Sequence, residues 1–408
     1  MLKLLLIAPT CDGQDVGESL AGYRWAGQLA AQHDVTILTY HKRGHIPLSR
    51  QLPGIRIVEW EESPGLGRAE RLNSMVKPAY VPFYVRARRW IRAALARGEW
   101  FDVAHQPAPL AIRYPSPVAG LGIPFVLGPV GGSLKSPQGF AREEGTNPWY
   151  VGLRSLDGLR LRHDRLLRAT YQQAGCVLGI GPYVRDLLEG VNIRRFEVMS
   201  DSGLETLPEP VERTGRLGPV RLLYVGRLVR TKGVRDAIRA LGLMPGMTVH
   251  LDVVGDGFDR GACEDLAGQL GLGRRVTFHG WVPRPQVEEF YRSADVFVFP
   301  SYREPGGNVI FEAMGHGLPV VVSDRGGPGA AVDETCGIRV HPGSPDQYAR
   351  DLASALARLV RAPAWRLVLG EGARRRVSAV GLWEAKVQQA GSIYGELVAD
   401  RSRLVNQE

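Results

Sequence analysis

Short apolar runs recur along the 408-residue chain with helix-like stretches between them. In the first half LLLIA (4–8), DVTILTY (34–40), IRIVEW (55–60), FDVAH (101–105), IPFVLGP (123–129) and CVLGI (176–180) are predicted strands. Each is bounded by glycine, proline or charge, as suits strands buried on both faces of a parallel sheet. Helices are predicted between them, at Gly17–Gln32 and Arg86–Arg97 among others. The pattern then restarts. VRLLYVG (220–226), TVHLDVVG (248–255), RVTFHGW (275–281), DVFVFPS (295–301) and LPVVVSD (318–324) alternate with predicted helices at Val234–Leu243, Gly261–Leu270, Arg284–Ser293, Val309–Gly315 and Asp346–Ala362.

Two successive β-α-β series predict an α/β protein with two Rossmann-like, doubly wound domains facing each other across a cleft. The boundaries are set at 1–203 for the first, acceptor-binding domain and 220–380 for the second. A Pro/Gly-rich linker at 204–219 has no apolar periodicity. A long helix at the end, Leu382–Leu404 within 381–408, is free to pack back on the first domain. Ligands of open α/β sheets bind beyond the carboxyl ends of the strands, so such a cleft suits a two-substrate enzyme.

Composition adds limits. Hydrophobic residues make up 44% and charged residues 23%, ordinary globular usage. The four cysteines (Cys11, Cys176, Cys263, Cys336) are scattered without a CxxC pair, which speaks against a zinc site and fits a reducing cytoplasm. The apolar run Leu4–Ala8 is too short for a signal-peptide core, and no stretch approaches ~20 apolar residues. The net charge of +9 is uneven: residues 1–200 hold 25 of the 51 Lys+Arg and 17 of the 42 Asp+Glu. An anionic acceptor, a phospholipid surface on the inner face of the membrane, or simply solvated arginines account for that excess. Val151–Arg168, basic with recurring leucines, is the candidate membrane-surface helix; a core-facing leucine stripe is its plainer reading.

Candidate chemistry gathers in the second half. In LLYVGRLVRTKG (222–233) a strand ends at Gly226, and Arg227 and Lys232 follow just before a helix. Two cations beside a helix N-terminus suit a diphosphate. In FPSYREPGGNVIFEAMGHG (299–317), Gly306-Gly307-Asn308 opens a helix at Val309, with Glu304 before it and Glu312 about one turn inside. A carboxylate here serves as helix-end charge, or it accepts hydrogen bonds from two vicinal hydroxyls, as holding a ribose requires. Gly255 and Gly257 in VVGDGFDR (253–260) read more readily as a tight turn than as ligand contacts.

Glu304 and Glu312 at this spacing, GRLVRTKG before them and VVGDGFDR between, resemble the nucleotide-binding domain of family-4 glycosyltransferases of GT-B fold. The match is dense over about 220–345. The resemblance implies a retaining, metal-independent hexosyltransferase that uses a UDP- or GDP-sugar. It implies that Arg227 and Lys232 contact the donor diphosphate, that Glu304 contacts the transferred sugar, and that Glu312 binds ribose hydroxyls. The backbone from Gly306 through Gly307 and Asn308 to Val309 would line the phosphate site, with Gly226 close by and Val282 beside the base.

Fewer motifs mark the first half. Gly13, Asp15 and Gly17 lie in the loop after the first strand, where similar enzymes hold a glycine-rich loop near donor and acceptor; here Gly13 and Gly17 are not adjacent. His105 ends a strand and is assigned either to the cleft or to a half-buried structural role. Relatives' second histidine is replaced by Gly128-Pro-Val-Gly131-Gly132, whose paired glycines suggest close approach to a ligand. No DxD triplet occurs, so no metal cofactor is expected. The expected partners are a nucleotide sugar and a saccharide, lipid-linked or small-molecule acceptor, in polysaccharide or glycolipid assembly. Rival readings are a nucleotide-sugar epimerase of the same fold, a nicotinamide dehydrogenase, disfavoured because no strand leads into GxGxxG, and a nucleic-acid binder, disfavoured because the basic runs lack interleaved aromatics.

Overall fold

The computed structural model describes residues 1–62, 77, 79–144, 156–213 and 218–405. The first sheet has the order β3-β2-β1-β4-β5-β6-β7 and the second β10-β9-β8-β11-β12-β13, with every pairing parallel. The strands of the first sheet are β1 (Lys3–Ile7), β2 (Asp34–His41), β3 (Arg56–Glu61), β4 (Val103–Gln106), β5 (Phe125–Val130), β6 (Cys176–Gly179) and β7 (Phe196–Val198). Those of the second are β8 (Val220–Val225), β9 (Val249–Val254), β10 (Val276–Gly280), β11 (Val296–Phe299), β12 (Val320–Ser323) and β13 (Gly337–Val340). The central strands β1, β4, β5, β8, β11 and β12 are almost wholly buried, which is why they read as unbroken apolar runs.

Two edge strands, β7 and β13, are additions to the sequence reading. Each is short and half exposed, with a charged residue inside (Glu197, Arg339), so neither forms an apolar run. The helix Pro363–Arg376 is a further addition. Its buried face contains Gly370 and Gly372, where a Cβ would lie 2.3 Å from Gly317 O and 1.8 Å from Thr335 O. Close backbone packing replaces the leucine stripe that would have marked it. The helix expected at Arg86–Arg97 begins earlier, at Tyr80, and buries Tyr80, Phe83, Ala87, Ile91 and Ala94.

The single basic helix expected at Val151–Arg168 is two, Leu156–His163 and Arg165–Gln173, and residues 151–155 lie outside the described residues. Asp164 breaks it by capping the second helix, accepting from the amides of Leu166 and Leu167. Leu161 and Leu167 join the core, while Leu159 and Leu166 face solvent.

Two segments tie the sheets together. The final helix, Trp383–Val405, packs against the first sheet: Trp383, Val387, Ala390, Ile393 and Tyr394 share a core with Leu4, Leu6, Trp25 and Val103. The loop after β5 reaches the other way. Phe140, fully buried, sits against Tyr302 (ring centroids 4.2 Å) and Tyr348 in the second domain's core. Around it Glu143 accepts from Arg230 and Arg239, and Arg303 bonds Ser136 and Glu144. The first sheet ends at Val198 and the second begins at Val220, yet this strap of the first segment packs into the second domain's core. Leu204, inside the expected linker, is itself buried and bridges to Leu382.

Candidate donor site at the second sheet's switch point

β8 and β11 lie side by side in the second sheet, and the chain leaves them in opposite directions, to β9 and to β12. The loops that follow them therefore diverge and leave a crevice at the carboxyl ends, the place where open α/β sheets bind ligands. Both loops named from the sequence open here. Backbone packing sets the loop after β8. A Cβ at Gly255 (φ +129) would lie 2.0 Å from Gly226 O, and one at Gly257 2.2 Å from Leu228 O. These glycines seat the neighbouring loop directly on the Gly226–Leu228 backbone, so their job is packing.

Lys232 and Glu304 meet as an ion pair across the crevice, both mostly shielded (15% and 13% exposed). Arg227 stands in solvent on the same loop. Beyond Glu304, Gly307 takes a left-handed conformation (φ +107) and starts the helix Asn308–Gly315 without a side-chain cap. No side chain caps its first amides, the kind of helix start that accepts an anion. Glu312 lies one turn in. Its Oε1 accepts from Asn308 Nδ2 at 2.6 Å and its Oε2 from Tyr291 Oη at 3.0 Å. Val309 and Val282 are partly buried against the second domain's core.

Arg230 lies between Arg227 and Lys232 and was not singled out from the sequence. It is buried, forked onto Asp236 at 2.6 and 2.9 Å and bonded to Glu143 at 2.8 Å. Three cations in six residues thus divide: Arg230 holds the domains together, Lys232 pairs with Glu304, and Arg227 stands exposed on the same loop. No spacing rule marks which is which; Asp236 six residues on is the available hint. His316, near the helix end, is buried and stacked on Tyr291, and burial lowers its pKa to about 4.

Across the cleft stand loops from the carboxyl edge of the first sheet. Gly131 is buried: its amide donates to Leu110 O at 2.5 Å, and a Cβ would strike Ile180 at 2.0 Å. Its close approach is to this chain's own side chain. Gly132 is left-handed (φ +92), and an added Cβ would meet only Ala111 Cα, at 4.0 Å. The acids after β1 are engaged internally. Asp12 meets His45 and Gln51, Asp15 meets Lys42 at 3.0 Å, and Glu18 pairs with Lys77. Asp15 sits below the usual carboxylate range, because burial's upward push is outweighed by the Lys42 bond and charge. Gly13 donates its amide to Gln51, and Gly17 (φ +64) starts the helix Glu18–Ala30.

His105 is a correction. The side chain is fully buried, not in the cleft. Its Nε2–H donates to Gly128 O at 2.6 Å, and Tyr394 Oη donates to Nδ1 at 2.6 Å. Burial lowers its pKa to about 4. Both ring nitrogens are spent on tying β4 and β5 to the final helix. A cavity of about 350 Å³ lies at the opposite, amino-terminal edge of this sheet, lined by Lys3, Arg56, Glu99 and Trp100. It is remote from the cleft, and Glu99 there pairs with Arg56 and Arg97.

Among the described residues no three His, Cys, Asp or Glu side chains converge as a metal-binding group. No helix of the described residues is long and apolar enough to cross a membrane.

Residues 212–366 match the family described as glycosyl transferases group 1. An uncharacterized glycosyltransferase of Methanocaldococcus jannaschii is 42% identical over 130 residues, 31% of this chain and 33% of that protein. The chain spans 33% of the length of that protein and 56% of that of a D-inositol 3-phosphate glycosyltransferase of Thermobifida fusca, 31% identical over 255 residues. Solved structures align over nearly the whole chain. Sucrose-phosphate synthase from Thermosynechococcus elongatus superposes with a TM-score of 0.64 at 24% identity, over 98% of this chain and 100% of that one. The fold is GT-B. Anabaena HepE in complex with UDP shares it, at TM-score 0.64 and 18% identity over 97% of this chain and 100% of its own. The group 1 match covers the crevice between β8 and β11, Glu304 and Glu312 included.

Proposed function

We propose that the protein is a retaining glycosyltransferase. It moves a hexose from a UDP- or GDP-sugar to an acceptor hydroxyl, in polysaccharide or glycolipid assembly. One observation carries the reading: the Lys232–Glu304 ion pair lies at one sheet switch point beside an uncapped helix N-terminus, with Arg227 on the loop of Lys232 and Glu312 one turn inside that helix. A related fold that binds UDP supports the donor class.

In this reading the diphosphate displaces Glu304 from Lys232. Lys232, Arg227 and the amides of Asn308 and Val309 neutralise the charge that grows as the anomeric C–O bond to phosphate breaks. Glu304, released, orients the sugar hydroxyls. The acceptor oxygen bonds to the anomeric carbon, and its proton passes to the departing phosphate oxygen. Glu312 accepts from the ribose hydroxyls. The cations and helix amides do the work a metal would otherwise do, so we assign no cofactor. The acceptor enters from the Gly13–Gly17 and Gly132 side of the cleft. A contact with anionic membrane through Leu159, Leu166 and their flanking arginines would present a lipid-linked acceptor there. Four buried, unpaired thiols suit a reducing cytoplasm.

The test is an assay of the purified chain with UDP- and GDP-hexoses and a panel of saccharide and lipid-linked acceptors in EDTA, read by NMR of the new anomeric centre. Product with the donor's configuration is expected. Inverted product would refute retention, and loss of turnover in EDTA would refute the metal-free reading.

A further inference from the structure

The two crossovers between the domains run side by side. Leu204 donates to Gly381 O at 2.8 Å, and Trp383 donates back to Leu204 O at 3.0 Å. This hinge lies directly against the donor site. A Cβ at Gly306 would lie 2.6 Å from Asp201 Oδ1, and one at Gly381 2.6 Å from the Phe311 ring. Gly203 N donates to Asn308 Oδ1 at 3.1 Å, and Asn308 Nδ2 donates to Glu312 at 2.6 Å.

At the head of this series stands Lys386 on the final helix. It is 2% exposed, and its ammonium donates to Ser202 O, packed between the rings of Phe311 (5.5 Å) and Trp383 (5.1 Å). A lysine on a core-facing helix position is an odd stabiliser. Burying an ammonium costs several kcal/mol, and an apolar side chain of similar length would pack there at no such cost. Burial indeed lowers its pKa, with the Asp201 carboxylate opposing. What the ammonium does supply is a fixed bond to the strand of hinge that holds Asn308.

We propose that Lys386 is a positioning residue for the donor site: through Ser202, Gly203 and Asn308 it fixes the Gly306–Asn308 turn and the Glu312 carboxylate where they receive the nucleotide. The inference rests on the proposed donor role of that turn. It makes the hinge and the donor site one mechanical unit, so that relative motion of the domains is felt at Glu312.

A double-mutant cycle tests it. Calorimetry with UDP and GDP measures Kd for wild type, Lys386→Met, Asn308→Ala and the double variant. Each single variant is expected to raise Kd at least about tenfold, Lys386→Met with kcat at saturating donor within about threefold. The double variant should be no worse than the worse single one, since residues of one relay do not add. Losses that multiply, or a Lys386→Met Kd within twofold of wild type, would overturn the proposal while leaving donor binding intact. Wild type that binds neither nucleotide overturns both. Should Lys386→Met not fold, Lys386→Arg carries the test: it keeps the charge, but a Cβ at Gly203 would already lie only 2.8 Å from Lys386 Nζ. The longer guanidinium must push the hinge, and at least about a fivefold weaker Kd is expected; a Kd within twofold overturns the proposal.

Discussion

Replacing Glu312 separates what this carboxylate does for the fold from what it does for the donor. In the structure each oxygen accepts one hydrogen bond, Oε1 from Asn308 Nδ2 and Oε2 from Tyr291 Oη, and Arg284 Nη2 lies 3.7 Å from Oε1 as an exposed ion pair. Tyr291 is 3% exposed, so Glu312→Ala strands a buried hydroxyl, at about 1–3 kcal/mol. A loss near 2 kcal/mol lowers Tm by about 4–8 °C for a domain of this size. Glu312→Gln keeps one acceptor oxygen and should cost about 1 kcal/mol. The effect on the donor is larger. Two hydroxyls donating to a carboxylate contribute about 1.5–3 kcal/mol each, so alanine is expected to weaken UDP or GDP binding about 10²–10⁴-fold. Glutamine should fall between alanine and wild type. Inorganic diphosphate, which has no ribose, should bind all three proteins alike. Calorimetry for Kd and thermal unfolding for Tm supply both readouts. A lowered Tm with unchanged nucleoside diphosphate Kd would refute the ribose role and leave Glu312 as a clamp on Tyr291 and Asn308.

Other outcomes follow from the packing and the titrations. His105 is neutral in the fold with a pKa near 4 against an unperturbed 6.5. The unfolded chain therefore binds the extra proton between those values, and stability falls by about 3 kcal/mol as pH drops from about 6.5 to about 4. His316 shifts the same way, so His105→Gln, measured by urea unfolding, should reduce the slope without abolishing it; an unchanged slope contradicts the buried neutral assignment. Gly255→Ala drives a Cβ into Gly226 O and should lower Tm and weaken diphosphate binding together; wild-type values for both would refute the backbone-stacking reading. Phe140→Ala should cost about 3–5 kcal/mol and expose the strap after β5 to proteolysis; a protein as stable and protease-resistant as wild type would show that the strap does not join the domains.

The sheets were legible because parallel strands buried on both faces leave continuous apolar runs, and LLLIA or VFVF is read at sight. The edge strands β7 and β13 were not, because half-exposed strands carry charge and lose the run. Lys232 and Glu304 pair in space though 72 residues separate them, and the resemblance grouped them before the topology did. His105 misled because a strand-end histidine in sequence carries no sign of depth; only the pairing of β4 and β5 under the final helix puts it out of reach of solvent. Arg230 and Lys386 were missed for a similar reason. Asp236, six residues on, is the one local hint for Arg230; Glu143 and Ser202, which Arg230 and Lys386 also bond, belong to segments far away in sequence.

The central claim is that Lys232, Arg227 and the helix at Asn308 hold a nucleoside diphosphate without a metal. Calorimetric titration of the protein with UDP and GDP in EDTA tests it most directly, with Lys232→Ala alongside. One of the two nucleotides is expected to bind wild type in EDTA and to bind Lys232→Ala about 10–100-fold more weakly, the loss of one charge-assisted contact. Absence of binding by either nucleotide, or binding that appears only with a divalent cation, would contradict it.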